Sequence, residues 1–128
     1  MVAGRYIGVQ YSADAVMAEL ESVLDAVGRA RSHVALIESR AAVVRELRAE
    51  GHPYADIVRS EEQPLIVGLL ADTITLLHEA SGRFRREEAR ALHTEGMRME
   101  EIAALFGVSR QRVSELLRPR TDEPRATR

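Results

Sequence analysis

Histidines and carboxylates are the side chains of this chain that could bind a metal ion or transfer protons. The four histidines, His33, His52, His78 and His93, are nowhere three or four residues apart, the spacing that brings two ligands to one helix face. The acidic pairs at 61–62, 87–88 and 100–101 are adjacent, so their carboxylates point to different sides of a helix. The chain has no cysteine and no glycine-rich phosphate loop. These patterns predict a protein that is not an enzyme and uses no metal or cofactor.

A different chemistry is offered by residues 83–118, where arginine, glutamine, serine and glutamate follow two helix breaks. Gly96 and Gly107 divide this segment into three short predicted helices. These cover residues 84–94, 99–106 and 110–118 in order. Ser109 is a good N-cap for the third helix, and Pro119 ends it. The apolar residues expected to face a common core in the first two helices are Phe84, Ala89, Leu92, Ile102, Ala103, Leu105 and Phe106.

The turn between the second and third of these helices has a specific spacing. A small residue, a glycine four residues later and a branched apolar residue six beyond it occur at Ala103, Gly107 and Val113. With this spacing the string EIAALFGVSRQRVSELL resembles the bacterial helix-turn-helix, in particular promoter-binding region 4 of sigma factors and the DNA-binding domains of resolvases and invertases. The resemblance covers 83–118 and implies a trihelical domain that binds duplex DNA. Met99 departs from the pattern, because a Ser or Thr cap is usual there.

The resemblance also implies a role for each position of the third helix, which would enter the major groove N-terminus first. Gln111 would pair with adenine, Arg110 or Arg112 with guanine, and Glu115 would accept from cytosine. Arginines beyond the third helix and at the start of the first would contact phosphates. The implied DNA-binding residues are Ser109, Arg110, Gln111, Arg112, Ser114, Glu115, Arg118, Arg120, Arg85 and Arg86.

The N-terminal part of the chain has a different pattern. Residues 1–11 lack a helical period and are predicted as an extended arm, and Ser12 is expected to cap a helix. From there the apolar residues follow alternating steps of four and three, which predicts a long helix ending before Gly51. They are Val16, Leu20, Val23, Val27, Ala30, Val34, Ile37, Ala41 and Val44. Gly28 leaves a two-helix hairpin open as an alternative. These nine residues form a narrow apolar seam along the helix. A second copy of the chain, or later helices of the same chain, must cover this seam.

The region between Gly51 and Gly82 predicts a short helix at 54–59 and an apolar helix at about 65–79, closed by Ser81 and Gly82. The apolar helix is hydrophobic over more than one stripe, so a central place in the core is expected. No strand pattern occurs, and the predicted fold is all-α. The predicted organisation is an arm (1–11), a helical dimerisation and core region (12–82), a helix-turn-helix domain (83–118) and a disordered tail (119–128).

Residues 44–58 align with residues 89–103 at an offset of 45 residues. Leu47, Gly51 and Ile57 recur as Leu92, Gly96 and Ile102, in that order. The earlier segment has Glu62 where the later one has Gly107. The two segments are therefore either a decayed duplicate of the helix-turn-helix or two helix ends that are similar by chance.

Charge is unevenly distributed, and every one of the 18 basic residues is arginine. The arginine usage is typical of high-GC bacterial coding and also suits phosphate binding. Residues 1–82 carry seven arginines and twelve acidic residues, whereas residues 83–128 carry eleven and eight, so the C-terminal end suits a polyanionic partner. The longest apolar run, 65–71, is too short to span a membrane, and no signal-peptide core follows the N-terminus. The predicted location is the cytoplasm, at the nucleoid.

These patterns together predict a homodimeric transcription regulator that binds double-stranded DNA and pairs through residues 12–50. The alternative is a helix-turn-helix adaptor that binds a protein, either antitoxin-like or associated with RNA polymerase. A ligand-sensing regulator is a third option, but residues 12–82 have no clustered polar groups on their apolar faces to favour it.

Overall fold

Five helices make up the computed structural model, which describes the backbone of residues 7–119 and the side chains of residues 15–119. They are α1 (Ile7–Ala49), α2 (Tyr54–Ser60), α3 (Ile66–Thr94), α4 (Met99–Phe106) and α5 (Arg110–Leu117). No strand occurs within 7–119, which confirms the all-α class for this range. The described residues divide into two compact units, one of residues 18–83 and one of residues 7–17 with 84–119.

Helix α1 is continuous through Gly28, so the single long helix is confirmed and the hairpin is wrong. The extended arm expected over 1–11 is wrong for 7–11, which are helical, and Ser12 lies inside the helix rather than at its cap. Once a helix has formed, each added residue gains a hydrogen bond at little cost, so weak helix formers such as those at 7–11 can extend it. Residues 1–6 lie outside the described residues.

Within the unit of residues 18–83, α1 packs against the first part of α3. The buried residues are Ala26 and Ala30 on α1, Ile57 on α2, and Leu69 and Ala80 on α3. The Thr73 hydroxyl donates to the Leu69 carbonyl (2.7 Å), so the His33 Nδ1–H donates to the same hydroxyl (2.9 Å). Glu19 and Arg83 form an ion pair at 3.2 Å. Of the nine seam residues of α1, Ala30 alone is buried, while Val27 and Val34 are exposed.

Helix α3 runs through Ser81 and Gly82, where the sequence predicted a break between two helices. The expected separate helix over 84–94 is therefore the C-terminal half of α3. Gly82 does not adopt a positive φ, and neither proline nor asparagine stands beside it to form a turn. A glycine inside a helix costs about 1 kcal/mol relative to alanine, which the buried Ala80 and Ala89 on either side can offset.

Helices α1 and α3 end in the same way. At Gly51 and Gly96 the backbone turns left-handed, with φ of 91° and 102°. The residue after each glycine donates to the carbonyl five residues earlier, from His52 to Leu47 (3.1 Å) and from Met97 to Leu92 (3.0 Å). This is the Schellman arrangement of a helix C-terminus. The next helix then begins three residues after each glycine, and Ile57 and Ile102 are both buried. The two aligned segments therefore share their backbone geometry as well as their sequence.

Candidate nucleic-acid interface

The core of the C-terminal unit is formed by one small cluster of side chains. Ala89 on α3, Ile102 and Ala103 on α4, and Val113 and Leu116 on α5 are all buried. Around them pack the half-buried residues Leu92, Met97, Met99, Phe106, Val108 and Leu117. The cluster contains the small and branched residues of the sequence motif, Ala103 and Val113. Leu105, expected in this core, is instead 66% exposed, because it lies two residues after the buried Ala103 and therefore on nearly the opposite side of α4.

The turn between α4 and α5 depends on Gly107, whose φ of 66° and ψ of 34° are left-handed. Its N–H donates to the Ala103 carbonyl and closes α4. Ser109 then caps α5, because its hydroxyl oxygen accepts from the Arg112 N–H at 3.1 Å. The two capping residues set the direction in which α5 leaves the turn, and Val113 and Leu116 fix it against the core.

The start of α4 is capped by Arg98 rather than by Met99, which is the first helical residue. Glu101 accepts hydrogen bonds from Arg98 Nε at 2.8 Å and, more weakly, from the Arg98 backbone N–H at 3.4 Å. The hydrogen bond from the Arg98 side chain is the main reason that the pKa of Glu101 lies below its usual range. The hydrogen bonds that Glu101 accepts from Arg98 take the place of the Ser or Thr cap that the resemblance implied.

Helix α5 has one buried side and one exposed side. A turn of about 100° per residue places Gln111, Glu115 and Arg118 opposite Val113 and Leu116. Arg112 and Ser114 flank this exposed side, and Ser114 is half-buried. We call these five residues (Gln111, Arg112, Ser114, Glu115, Arg118) the outer face of α5. It carries guanidinium, amide, hydroxyl and carboxylate groups, which are the side chains that read base edges in a major groove.

Two arginines of α5 are paired with carboxylates of the same unit. Arg110 Nε lies 3.0 Å from Glu100 Oε1 on α4, so Arg110 points toward α4 and away from the centre of the outer face. Arg112 Nη1 lies 3.2 Å from Glu115 Oε2, one turn along α5. All four side chains are roughly half exposed or more, so these pairs can exchange partners at low cost.

The structure brings most of the implied DNA-binding residues onto or beside α5. Ser109, Arg110, Gln111, Arg112, Ser114, Glu115 and Arg118 are within or next to this helix. Arg85 and Arg86 lie on α3, where Arg85 is exposed and Arg86 is half-buried. The Arg86 Nε is inaccessible to solvent and has no hydrogen-bond partner among residues 15–119, so Arg85 is better placed to meet a phosphate. Arg120 and the predicted tail after Pro119 lie outside the described residues.

Two contacts of this site were missed in the sequence. Arg90 pairs with Glu87 at 2.9 Å and also donates to the Arg118 carbonyl at 3.4 Å, which links α3 to the end of α5. The three-residue spacing of Glu87 and Arg90 on one helix was a usable signal for the first contact. The Glu100–Arg110 pair had no such signal, because it exists only after the Gly107 turn brings α4 and α5 together.

Residues 15–119 contain no group of three or more His, Asp or Glu side chains that could hold a metal ion. None of the five helices, over the residues described, is long and apolar enough to cross a membrane. No protein-family model, curated protein or solved structure matches the chain.

Proposed function

We propose that the chain is a sequence-specific regulator of transcription that binds duplex DNA with α5 in the major groove. Gln111 at the centre of the outer face of α5 would read a base, and Arg112, Ser114 and Glu115 would read its neighbours. Arg118 and Arg85 would contact phosphates on either side. In this proposal the protein works in the bacterial cytoplasm, at the nucleoid, and does so as a homodimer.

One observation carries this proposal: α5 is a short helix, capped by Ser109, that buries Val113 and Leu116 on one side and is polar on the opposite side. A helix of eight residues is marginal alone, so its position depends on Gly107, Ser109 and the core cluster. A rigidly held helix with exposed Gln, Arg, Ser and Glu side chains suits base reading, which requires donors and acceptors at fixed positions.

The dimer belongs to the same proposal. The heptad spacing predicts the contact in residues 12–50, and the exposed Val27 and Val34 leave part of that seam open to a partner. Two copies of α5 related by a twofold axis would reach half-sites one helical turn, or a multiple of it, apart on a pseudo-palindrome.

The test is selection of bound sequences from a pool of random duplexes at two salt concentrations. We expect an enriched pseudo-palindrome and an affinity that falls steeply with salt. The variant Gln111→Ala should relax specificity at one position of each half-site, with a loss of about 1–3 kcal/mol in discrimination. Salt-sensitive binding without an enriched sequence would contradict recognition of a specific DNA sequence. Absence of binding at both salt concentrations would contradict the whole proposal.

A matched pair of variants isolates the contribution of Arg112. Arg112→Ala removes an exposed arginine that pairs with an acid three residues away. Arg59→Ala removes a more exposed arginine (80% against 49%) that has the same kind of partner three residues away, Asp56, on α2. We expect the first variant to lose DNA affinity and the second to retain it. Equal losses would mean that only net charge matters.

A second candidate function, a protein-binding adaptor, is favoured by Leu105, whose side chain is 66% exposed on α4. An exposed leucine, in the same unit as two arginines already paired with carboxylates, suits a protein surface better than a phosphate backbone. Leu105→Ser distinguishes the two functions. DNA binding should persist in this variant under our proposal, whereas capture of a protein partner would be lost under the alternative.

A further inference from the structure

Helix α3 has two apolar stripes, and the residues that the structure describes cover only one of them. The inner stripe consists of Leu69, Thr73, Leu76 and Ala80, which are buried or half-buried, and Thr73 accepts the hydrogen bond from His33 of α1. The outer stripe consists of Val67, Leu70, Ile74 and Leu77, whose side chains are 38–69% exposed. The two stripes are the reason that the sequence predicted a central place in the core for this helix. The described residues cover only its inner stripe.

The outer stripe has the spacing and residue types of a two-stranded coiled coil. Its members follow steps of three, four and three, which are the a and d positions of a heptad. Val67 and Ile74 fall on a, and Leu70 and Leu77 fall on d. β-branched residues at a with leucine at d favour two strands in parallel coiled coils. The flanking e and g positions are Ala71, Thr73, His78 and Ala80, none of which is an acid or an arginine. No strong like charges therefore oppose the approach of an identical stripe.

The exposed area is large enough to form the apolar part of an interface. At about 1.45 Å² of extended surface per dalton, the exposed fractions of the four side chains amount to about 350 Å². One partner of a standard interface contributes about 800 Å², of which about 65% is apolar in homodimers. The outer stripe thus supplies most of the apolar area that each copy of a stable dimer needs, before Val27 and Val34 are counted.

A comparison of α3 with α5 gives an independent indication. Both helices follow a short helix and a tight loop, and both bury their fourth residue, Leu69 in α3 and Val113 in α5. The Glu61 carboxylate accepts from the first N–H of α3 at 2.7 Å, much as Ser109 caps α5. In this register Val67, Leu70 and Ile74 stand where α5 has Gln111, Ser114 and Arg118. The face that is polar in α5 is apolar in α3.

We infer that the outer stripe of α3 binds the same stripe of a second copy of this chain, and that α3 rather than α1 forms the centre of the dimer contact. The α2–α3 segment thus has the same order of a short helix, a loop and a capped helix as the α4–α5 segment, with an apolar face that suits a protein partner. This inference specifies the second copy that the proposed function requires and in that respect rests on it. The contact itself involves no DNA, so it can be tested separately.

The experiment is sedimentation equilibrium of the full chain in the absence of DNA, from about 1 to 100 μM. We expect twice the chain mass of 14.2 kDa for the unchanged protein. Ile74→Arg places a charge in the middle of the stripe and should give the single-chain mass over the whole range. Ile74 is 68% exposed, so this variant should keep its helix content, which circular dichroism measures.

Leu105→Arg is the matched control, because Leu105 is equally exposed at 66% but lies on α4. It should remain dimeric. A single-chain mass for the unchanged protein up to 100 μM would overturn the inference and assign the stripe to a different partner. Dimers that survive Ile74→Arg would overturn it as well, because the contact would then lie elsewhere. If the unchanged chain dimerises but does not bind DNA, the proposed function is contradicted and this inference remains intact.

Discussion

Arg110 and Arg112 are held by carboxylates of the same chain, and under the proposed function this pairing affects how they meet DNA. The Glu100–Arg110 pair joins α4 to α5, whereas the Glu115–Arg112 pair lies along α5 alone. An arginine in such a pair must release its carboxylate before it can contact a phosphate or a guanine. Exposed pairs of this kind are worth 0–1 kcal/mol, so the release is feasible but reduces the affinity.

Glu100→Gln should therefore strengthen DNA binding, by about two- to fivefold under the proposed function. The freed Arg110 adds one phosphate contact, so the slope of log affinity against log salt should steepen by about one. Titration of a labelled duplex at several salt concentrations measures both effects. Asp56→Asn is the control, because it frees Arg59 from an equivalent pair on α2. An affinity that is unchanged in Glu100→Gln would mean that Arg110 does not reach the DNA.

Gly107 and Gly28 should respond oppositely to alanine. Space is not the reason, because an added Cβ would meet nothing within 4 Å at either position. Gly107 has a φ of 66°, so alanine there should cost about 1–2 kcal/mol of backbone strain. Gly28 lies in the regular part of α1, where alanine should add about 1 kcal/mol of stability. Urea unfolding followed by circular dichroism checks both changes, and a loss at Gly28 would contradict the single-helix assignment.

Glu101 gives the C-terminal unit a dependence on pH. Because the hydrogen bond from Arg98 lowers its pKa in the folded state, Glu101 stabilises the fold above the pKa of the unfolded chain. That contribution should be lost as the pH falls through the lowered pKa of the folded state. Glu101→Gln should therefore be less stable than the unchanged chain at pH 7 and equal to it near pH 2, as measured by urea unfolding. A difference that persists at pH 2 would indicate a loss of packing instead.

At the scale of the elements, the capping of α5 is a separate test of how its position is fixed. Ser109→Ala removes the acceptor for the Arg112 N–H and should cost about 1 kcal/mol. Ser32→Ala is the control, because its hydroxyl donates within α1 to the Gly28 carbonyl and caps nothing. That variant should be neutral or slightly stabilised, since alanine is the better helix former. Equal effects in urea unfolding would contradict the role of Ser109 as a cap.

The helix bounds were predictable where a residue enforces a turn. Gly51, Gly96 and Gly107 all have positive φ and end helices as predicted, and Ser109 caps α5. Gly82 has no neighbouring proline or asparagine to form a turn, and the helices continue through both Gly82 and Ser12. Composition suggests these endings, but neighbouring hydrogen bonds and packing decide between a turn and an unbroken helix.

At the scale of the whole molecule, contacts within one motif were more predictable than contacts between distant residues. Ile102 and Ala103 were expected in one core and are buried there together with Val113, because the motif fixes their spacing. The prediction that Leu105 is buried was wrong, because the buried side of α4 is rotated away from Leu105 by about the angle of one residue. The His33–Thr73 bond and the Glu100–Arg110 pair could not be predicted, since each depends on how two helices meet.

The uncovered stripe of α3 has a consequence for the amount of protein that a cell must keep. If the folded chain is completed by a second copy, mass action links its stability to its abundance. The midpoint of thermal unfolding should rise with protein concentration for the unchanged chain and stay constant for Ile74→Arg. A cell that makes few copies would hold mostly single chains, which unfold more readily and are degraded sooner. As growth dilutes the protein, degradation of single chains would then lower its amount faster than dilution alone. Under the proposed function, regulation would switch off over a narrow range of copy number.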